Sequence, residues 1–285
     1  MILRSVVALA LTVLLLPAAT SYDSSIGEWR ADRERRLRAE DGWLSLTGLF
    51  WLEEGANTMG SRPGSRVLLP ASSPANAGVL VRKGTTVRFE PAPRAEVRLN
   101  QKPVPSAIEV RTDRAEQPDI LGIGQLRLLV IERGGKIGVR MKDPQSKARV
   151  GFRGLSWFPV NEDWNIRARF VPQPRKMLLD AQAGGKQEHE SPGYVEWQFR
   201  GQTLRMTPVM DEGELFFIFR DATSGRSTYG AARFLYAPIA RDGFVTLDFN
   251  KAYNPPCVFT PYATCPLPPP ENRMKLAVEA GEKMY

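Results

Sequence analysis

The sequence predicts an all-β protein with a single N-terminal helix. From Asn57 onward, apolar and polar residues alternate in short runs, which is typical of half-buried strands. The chain contains 24 Gly and 23 Pro, and these residues, with Asn, divide the runs as turns. With 285 residues, 42% of them hydrophobic and 25% charged, the chain can bury a core in one large or two small domains. This composition excludes wholesale disorder and collagen-like structure.

The one strong helix pattern covers Ser25 to Glu40. Ser25 and Glu28 have capping-box spacing, and Ile26, Trp29 and Leu37 recur near the helical period. Gly42 ends the helix. The following turn-and-strand segment, residues 42–52, is rich in large apolar residues, so we expect it to pack the helix onto the body of the protein.

Two sets of predicted strands follow the helix. The first set predicts a β-sandwich and covers residues 66–69, 78–81, 86–89, 96–99, 107–110, 125–131 and 137–141. The second set predicts another antiparallel β-domain and covers residues 164–170, 193–199, 203–208, 215–219, 231–236 and 244–249. Asn254 to Pro270 is too proline-rich for a sheet interior, so we expect an extended segment that wraps the body.

These patterns give the expected domain organisation. Residues 1–21 form a signal peptide, 22–56 the helix and packing segment, 57–143 the β-sandwich, and 144–285 the second β-domain with its extended tail. The sequence leaves open whether the two β parts are separate domains.

The first twenty residues predict export. A basic start at Arg4 precedes an apolar run from Val6 to Leu16 and then small residues, which is the layout of a secretory signal peptide. The apolar run is too short to span a membrane as a helix. We therefore expect a periplasmic or secreted protein with no membrane span after signal cleavage.

Charge and residue counts exclude several classes of function. The net charge is +8, and removal of residues 1–21 takes away one basic residue and leaves +7. Export and the dispersed charge argue against a nucleic-acid partner. With one histidine, His189, in a predicted loop over residues 184–190, a Ser-His-Asp triad and the usual zinc sites fit poorly. We expect no metal and no cofactor.

The two cysteines predict a structural cross-link. Cys257 and Cys265 enclose a nine-residue segment in a chain expected to be exported, where disulfides persist. The flanking prolines also favour a disulfide over a catalytic thiol.

The C-terminal half carries distinctive motifs. They are Asp221-Ala222-Thr223-Ser224-Gly225, Thr228 to Leu235, Leu247 to Cys257, Cys265 to Asn272 and Ala280-Gly281-Glu282-Lys283. This text resembles the uncharacterised prokaryotic domain-of-unknown-function (DUF) family 1684, and Asp41 to Leu44 with Gly48 to Leu52 resembles its opening. The resemblance implies no established activity.

Residues 57–131 are similar to the forkhead-associated β-sandwich. Arg62, Ser73 and Asn100 occupy the places of residues that bind phosphothreonine in that family. The histidine expected after the serine is absent, and Gln101 replaces the expected glycine after Asn100. The resemblance therefore implies the sandwich but not the ligand.

A dense group of polar residues marks the candidate site. It comprises Asp221, Thr223, Thr228, Tyr229, Arg233, Asp248, Asn250, Tyr253 and Asn254. Asp221 and Asp248 each stand at a predicted strand end, so both carboxylates could face one cleft beside Arg233 and Tyr229. Such a pair suits glycoside hydrolysis, whereas Arg with Tyr and Asn suits binding of a carboxylate or phosphate. Alternatively, these residues cap turns and Arg233 pairs with Asp248 for structural reasons.

The sequence favours an exported cell-envelope ligand-binding or interaction module of unknown function. Its partner would be an unknown small molecule or an envelope polymer. The alternative is a metal-independent hydrolase that acts on an envelope glycan or ester with Asp221 and Asp248 as acid and base. Whether the protein is an enzyme stays open at this point.

Overall fold

A computed structural model describes residues 21–285, and its architecture is mostly antiparallel β-sheet. The signal-peptide prediction lies outside the described residues, apart from Ser21. Helix α1 covers Ser21–Arg38. The strands of the first half are β1 (Leu46–Trp51), β2 (Gly55–Gly60), β3 (Val67–Leu68), β4 (Gly78–Lys83), β5 (Thr86–Pro91), β6 (Val97–Leu99), β7 (Lys102–Pro103), β8 (Ile108–Glu109), β9 (Ile120–Ile123), β10 (Leu126–Arg133) and β11 (Lys136–Lys142).

The first half is a two-sheet sandwich. One sheet has the order β1-β11-β10-β9-β6-β7 and the other β3-β2-β4-β5-β8. Alternating inward residues of both sheets, such as Leu80, Phe89, Leu128 and Val139, form one buried cluster. All seven strands predicted for this half are present. β1 also pairs with β11, so part of the segment predicted to pack the helix belongs to the sandwich sheet.

The second half contains two smaller sheets. A short helix, α2 (Lys147–Val150), precedes β12 (Asn165–Asp180), β13 (Lys186–Phe199), β14 (Gln202–Met206), β15 (Val209–Asp211), β16 (Glu214–Phe219), β17 (Arg233–Ala237) and β18 (Phe244–Asp248). The sheet orders are β14-β13-β12-β18 and β15-β16-β17. Trp197, Phe217 and Phe249 lie in the buried cluster that joins these sheets. Residues 254–285 contain no strand. They form an extended tail that contacts this half and, through Thr260 and Thr264, strands β1 and β11 of the sandwich.

The predicted loop around His189 is wrong. Only residues 182–185 form the turn, because β13 begins at Lys186 and pairs with β12 so that His189 lies opposite Met177. Strand preference depends strongly on neighbours, and the polar run 186–190 extends along a partner strand that buries Met177 and Leu179. Burial lowers the pKa of His189.

The predicted helix cap at Ser25 is also wrong. Ser25 lies inside α1, and its hydroxyl donates to the Tyr22 carbonyl at 2.7 Å. The helix ends before Gly42 as predicted, and a Cβ at Gly42 would lie 2.4 Å from the Arg36 carbonyl oxygen. The close approach explains why glycine is needed at this turn.

Within residues 21–285, no helix combines the length and apolarity that crossing a membrane requires. In the same residues, no group of three or more His, Cys, Asp or Glu side chains is arranged to hold a metal ion.

The disulfide predicted from the two cysteines is present. Cys257 and Cys265 are bonded, with their Cα atoms 6.3 Å apart, and the bridge packs beside the buried cluster that contains Met177 and Phe234. Replacing both cysteines by serine is expected to lower the free energy of unfolding by about 2–3 kcal/mol, because the open loop gains entropy in the unfolded chain. Urea unfolding of the wild type with and without reductant, beside the double variant, measures this. A variant as stable as the oxidised wild type would contradict it.

Candidate functional site

Asp221 and Arg233 form a fully buried ion pair. Asp221 follows β16 and Arg233 begins the adjacent strand β17, so the antiparallel pairing of these strands brings the two side chains together. Arg233 Nη1 lies 3.1 Å from Asp221 Oδ2, and neither side chain has exposed surface. This corrects the predicted structural pairing of Arg233 with Asp248.

The same ion pair holds the C-terminal tail. Arg233 Nη1 donates to the Val278 carbonyl at 2.9 Å, and Nη2 donates to the Ala280 carbonyl. Asp221 Oδ1 accepts from the Val278 amide at 3.2 Å and from Thr223 through its amide and its hydroxyl. Buried charges need such partners, and here the two charges neutralise each other inside the fold. Arg233 Nε has no hydrogen-bond partner but is buried, so the pair presents no exposed group to a ligand.

Thr228 and Tyr229, two of the predicted ligand-binding residues, differ in burial. Thr228 is buried, and its hydroxyl lies 2.8 Å from the Thr223 hydroxyl, which closes the turn after Asp221. Tyr229 is half-buried, and its hydroxyl accepts from Gln182 Nε2 at 3.2 Å. Tyr229 is therefore separate from the hydrogen bonds of Arg233.

Asp248 and Asn250 belong to a second network. Asp248 Oδ1 accepts from the Tyr22 hydroxyl at 2.8 Å, and Asp248 Oδ2 lies 3.3 Å from Lys251 Nζ. Asn250 Nδ2 donates to the Asn161 carbonyl at 2.8 Å, and its Oδ1 accepts from the Asn161 amide. Burial raises the pKa of the Tyr22 hydroxyl, and its hydrogen bond to Asp248 raises the pKa further. This network holds the start of α1 against the end of β18.

Tyr253 and Asn254 belong to a third network, which also contacts α1. Asn254 Nδ2 donates to Glu282 Oε1 at 2.8 Å, and Glu282 Oε2 lies 3.1 Å from Arg33 Nε. Arg33 Nη2 donates to the Asn254 carbonyl, and the guanidinium carbon lies 4.3 Å from the centre of the Tyr253 ring. Burial raises the pKa of the Glu282 carboxyl, and the neighbouring Arg33 acts in the opposite direction. Burial also raises the pKa of the Tyr253 hydroxyl to about 12.

The predicted site residues are thus divided among separate networks. Asp221 and Asp248 share none of the hydrogen-bond partners described above, although each does stand at a strand end as predicted. All three networks join chain segments that are distant in sequence. The arrangement can hold α1 and the tail against the second half, but it does not pair two accessible carboxylates.

Sequence reasoning missed Arg33 and Glu282. Arg33 is one of five arginines between residues 30 and 38 that are interleaved with acidic residues, a pattern typical of a solvated helix face, yet it is 9% exposed. Its position was readable, because Ile26, Trp29, Arg33 and Leu37 follow the spacing of one helix face. Glu282 lies in the last C-terminal motif, but nothing in the sequence indicates that Arg33 is its partner.

The described residues also form an open groove in the sandwich, of about 600 Å³. It lies between the β6–β7 hairpin and the segment around β8. Its lining combines apolar and charged side chains: Leu99, Lys102, Val104, Ile108, Glu109 and Arg111. Such a mixture suits a ligand with both apolar and polar parts.

Asp119 supports the floor of the groove. Its Oδ1 lies 2.7 Å from Arg111 Nη2 and accepts from Asn100 Nδ2 at 2.6 Å. Asn100 Oδ1 in turn accepts from the Ile120 amide at 2.9 Å. Asn100, which occupies the place of a phosphothreonine-binding residue in the forkhead-associated family, therefore forms hydrogen bonds within the fold.

These contacts predict an acid sensitivity. The hydrogen bonds from Arg111 lower the pKa of Asp119 to about 2. Since the folded-state pKa is depressed, the stability it contributes is present above pH 4 and lost as the pH falls through about 2. We expect a loss of about 1–2 kcal/mol after allowance for solvent screening. Urea unfolding at pH 5 and pH 2.5 should show a smaller difference in Asp119→Asn than in the wild type, and equal differences would contradict this assignment.

Comparison with known proteins finds a family match in the second half of the chain. Residues 150–283 match the model of a family described as a protein of unknown function, DUF1684. This match confirms the resemblance of the C-terminal motifs, and the motif at residues 41–52 lies outside it. No curated protein matches the chain.

One similar solved structure is the solution NMR structure of an uncharacterized protein of Haloarcula marismortui. It is 29% identical, the alignment covers 47% of this chain and 78% of that chain, and the TM-score is 0.41.

Proposed function

We propose that the protein is an exported ligand-binding or interaction module of the cell envelope. The observation that carries this proposal is that both candidate catalytic carboxylates are already bonded to other side chains of the protein. The Asp221 side chain has no exposed surface and is bound to Arg233, and Asp248 is bound by Tyr22 and Lys251. A general acid and base must reach the substrate, so this geometry favours binding over the paired-Asp hydrolase.

Export is supported by two features. The N-terminal sequence has the layout of a signal peptide, and the protein contains a disulfide between its two cysteines. Disulfides are typical of oxidising compartments. Periplasmic or secreted material should therefore begin near residue 22, and mass spectrometry of the mature chain measures this. A chain that retains residues 1–21 would contradict signal cleavage.

The groove beside β7 and β8 is the surface that we assign to the ligand. Both strands have only two residues and end their sheets, so the groove lies where the sandwich presents unpaired edges. Lys102 and Glu109 offer charged groups, and Ile108 offers apolar surface that is 39% exposed. An unknown small molecule or a segment of an envelope polymer would contact all three side chains.

A ligand screen tests the proposal. Sugars, phosphates and carboxylates are added to the mature protein, and the melting temperature is measured. We expect a ligand whose stabilisation is lost in the variant Lys102→Ala/Ile108→Ala and kept in the matched control Lys83→Ala, which changes an exposed residue of β4. Hydrolysis of a glycan or ester that disappears in Asp248→Asn would overturn the proposal and support the hydrolase.

A further inference from the structure

The disulfide loop, residues 257–265, lies between the two halves of the protein. Its ends are Cys257 and Cys265, which the disulfide joins. Thr260 is buried, and its hydroxyl donates to the Leu46 carbonyl of β1 in the sandwich at 3.0 Å. On the other side, the amide of Gln182, in the turn between β12 and β13, donates to the Cys265 carbonyl at 2.9 Å. The loop therefore joins the first sheet of the sandwich to the second half.

Arg140 of β11 is buried where the disulfide loop meets the sandwich. The residue is 8% exposed, and its Nη2 donates to the Thr264 hydroxyl at 2.8 Å. Its guanidinium carbon lies 5.2 Å from the centre of the Trp43 ring, and its Nε is buried without a hydrogen-bond partner. Within residues 21–285, Thr264 is thus the one hydrogen-bond acceptor of this guanidinium, and it belongs to the loop.

The charge of Arg140 has no carboxylate of its own in the described part of the chain. Asp113 favours the charged form, but its carboxylate is 2.5 Å from Arg133 Nη1. Burial and the repulsion from Arg133 lower the pKa of Arg140 to about 10. Burying a charge without a counter-charge is unfavourable. The closed loop therefore keeps Arg140 in a state that contact with water would relieve.

The disulfide is the covalent restraint on this loop. Thr264 precedes Cys265 directly, so the bridge fixes the acceptor of Arg140. The contacts that would keep the loop closed without the bridge are neutral. Thr260 donates to Leu46, Gln187 donates to the Thr264 carbonyl at 3.3 Å, and the Ala263 side chain is buried. Because neutral hydrogen bonds contribute little net free energy, hydration of Arg140 and the entropy of the freed loop favour opening.

We propose that the Cys257–Cys265 disulfide is a redox-sensitive latch that closes the loop over Arg140. A dithiol reductant opens it. One thiolate attacks the sulfur of Cys257, the more exposed cysteine, and Cys265 leaves as a thiolate. The second thiol then displaces Cys257, so the protein gains two thiols and the reductant becomes a disulfide. The loop is released, Arg140 is hydrated, and the tail loses its contacts with β1 and β11. The latch does not rest on the proposed function.

Arginine modification by phenylglyoxal tests the latch, because the reagent reacts with guanidinium groups that solvent reaches. The oxidised protein is compared with protein reduced by dithiothreitol, which is then removed without air, and peptide masses locate the modified arginines. We expect modification of Arg140 to become at least about tenfold faster on reduction. Arg98, exposed on β6, should react in both states, and Arg233, which is fully buried, should react in neither.

The two control arginines separate opening of the latch from unfolding of the protein. Equal protection of Arg140 in both states would overturn the proposal, because reduction would then leave the loop closed. Modification of Arg140 and Arg233 together after reduction would also overturn it, because the disulfide would then support the whole fold and not one loop.

The variant Arg140→Met tests the part that the buried charge plays. It keeps a long side chain but removes the charge, so the oxidised variant should unfold at a urea concentration no lower than the wild type. After reduction, amide hydrogen exchange at Thr260 should be at least about threefold slower in Arg140→Met than in the wild type. The control Arg98→Met should exchange like the wild type.

Two results with Arg140→Met would contradict the latch. A marked fall of the urea midpoint in the oxidised variant would mean that the charge of Arg140 is compensated in the closed loop. Equal exchange at Thr260 in the reduced variant and the reduced wild type would mean that this charge does not open the loop.

Discussion

Replacing Arg233 by methionine is expected to lower the free energy of unfolding by about 3–5 kcal/mol, because the change leaves the Asp221 carboxylate buried without its partner. It also removes the donors to the Val278 and Ala280 carbonyls. Urea unfolding followed by circular dichroism measures the loss. The variant should bind groove ligands normally at temperatures where it remains folded.

A second substitution separates charge from packing. Asp221→Asn keeps an acceptor at Oδ1 but removes the charge, so Asp221→Asn/Arg233→Met should be more stable than Arg233→Met alone by at least about 1 kcal/mol. The exposed pair Lys176–Glu188, with side chains 69% and 55% exposed, is the matched control. Lys176→Met should change stability by less than about 0.5 kcal/mol. Equal losses at the buried and exposed pairs would contradict the structural role of Arg233.

Replacing Glu282 by alanine is expected to have the second large effect, about 3–5 kcal/mol, because Arg33 then stays buried without a counter-charge. Asn254 Nδ2 also loses one acceptor. Since Arg33 belongs to α1, we expect the helix to detach more readily than the rest of the fold. Trypsin should then cut α1 at its arginines before it cuts the strands.

Glu28→Ala is the matched control for this prediction. Glu28 lies on the exposed side of α1, so its removal should leave both stability and the order of tryptic cleavage unchanged. If Glu282→Ala gave the same cleavage pattern as the wild type, the third network would not be what holds α1.

Local patterns predicted most of the fold. The alternation of apolar residues located all seven strands assigned to the sandwich. The extension of β13 through His189 could not be predicted in this way, because it depends on the pairing partner Met177 on β12. The predicted cap at Ser25 is wrong because the residues before it, from Ser21, are also helical. A capping sequence alone does not fix where a helix begins.

The sequence predicted where the polar residues of the candidate site lie, but not which residues they bond to. The residues from Asp221 to Asn254 do form dense polar networks, yet their partners lie far away in the sequence. Arg233 pairs with Asp221 and the tail, and Asn254 pairs with Glu282 and Arg33. A sequence shows which residues can make such bonds, whereas the tail geometry decides which of them do.

The central claim is that the buried Asp221–Arg233 pair fixes the C-terminal tail to the second half of the protein. Amide hydrogen exchange at Val278 tests it most directly, because this tail amide lies outside any strand and donates to Asp221 Oδ1. The account predicts that Val278 exchanges as slowly as the core amides of β16 in the wild type and faster in Asp221→Ala. Exchange of Val278 in the wild type at the rate of an exposed loop amide would contradict it.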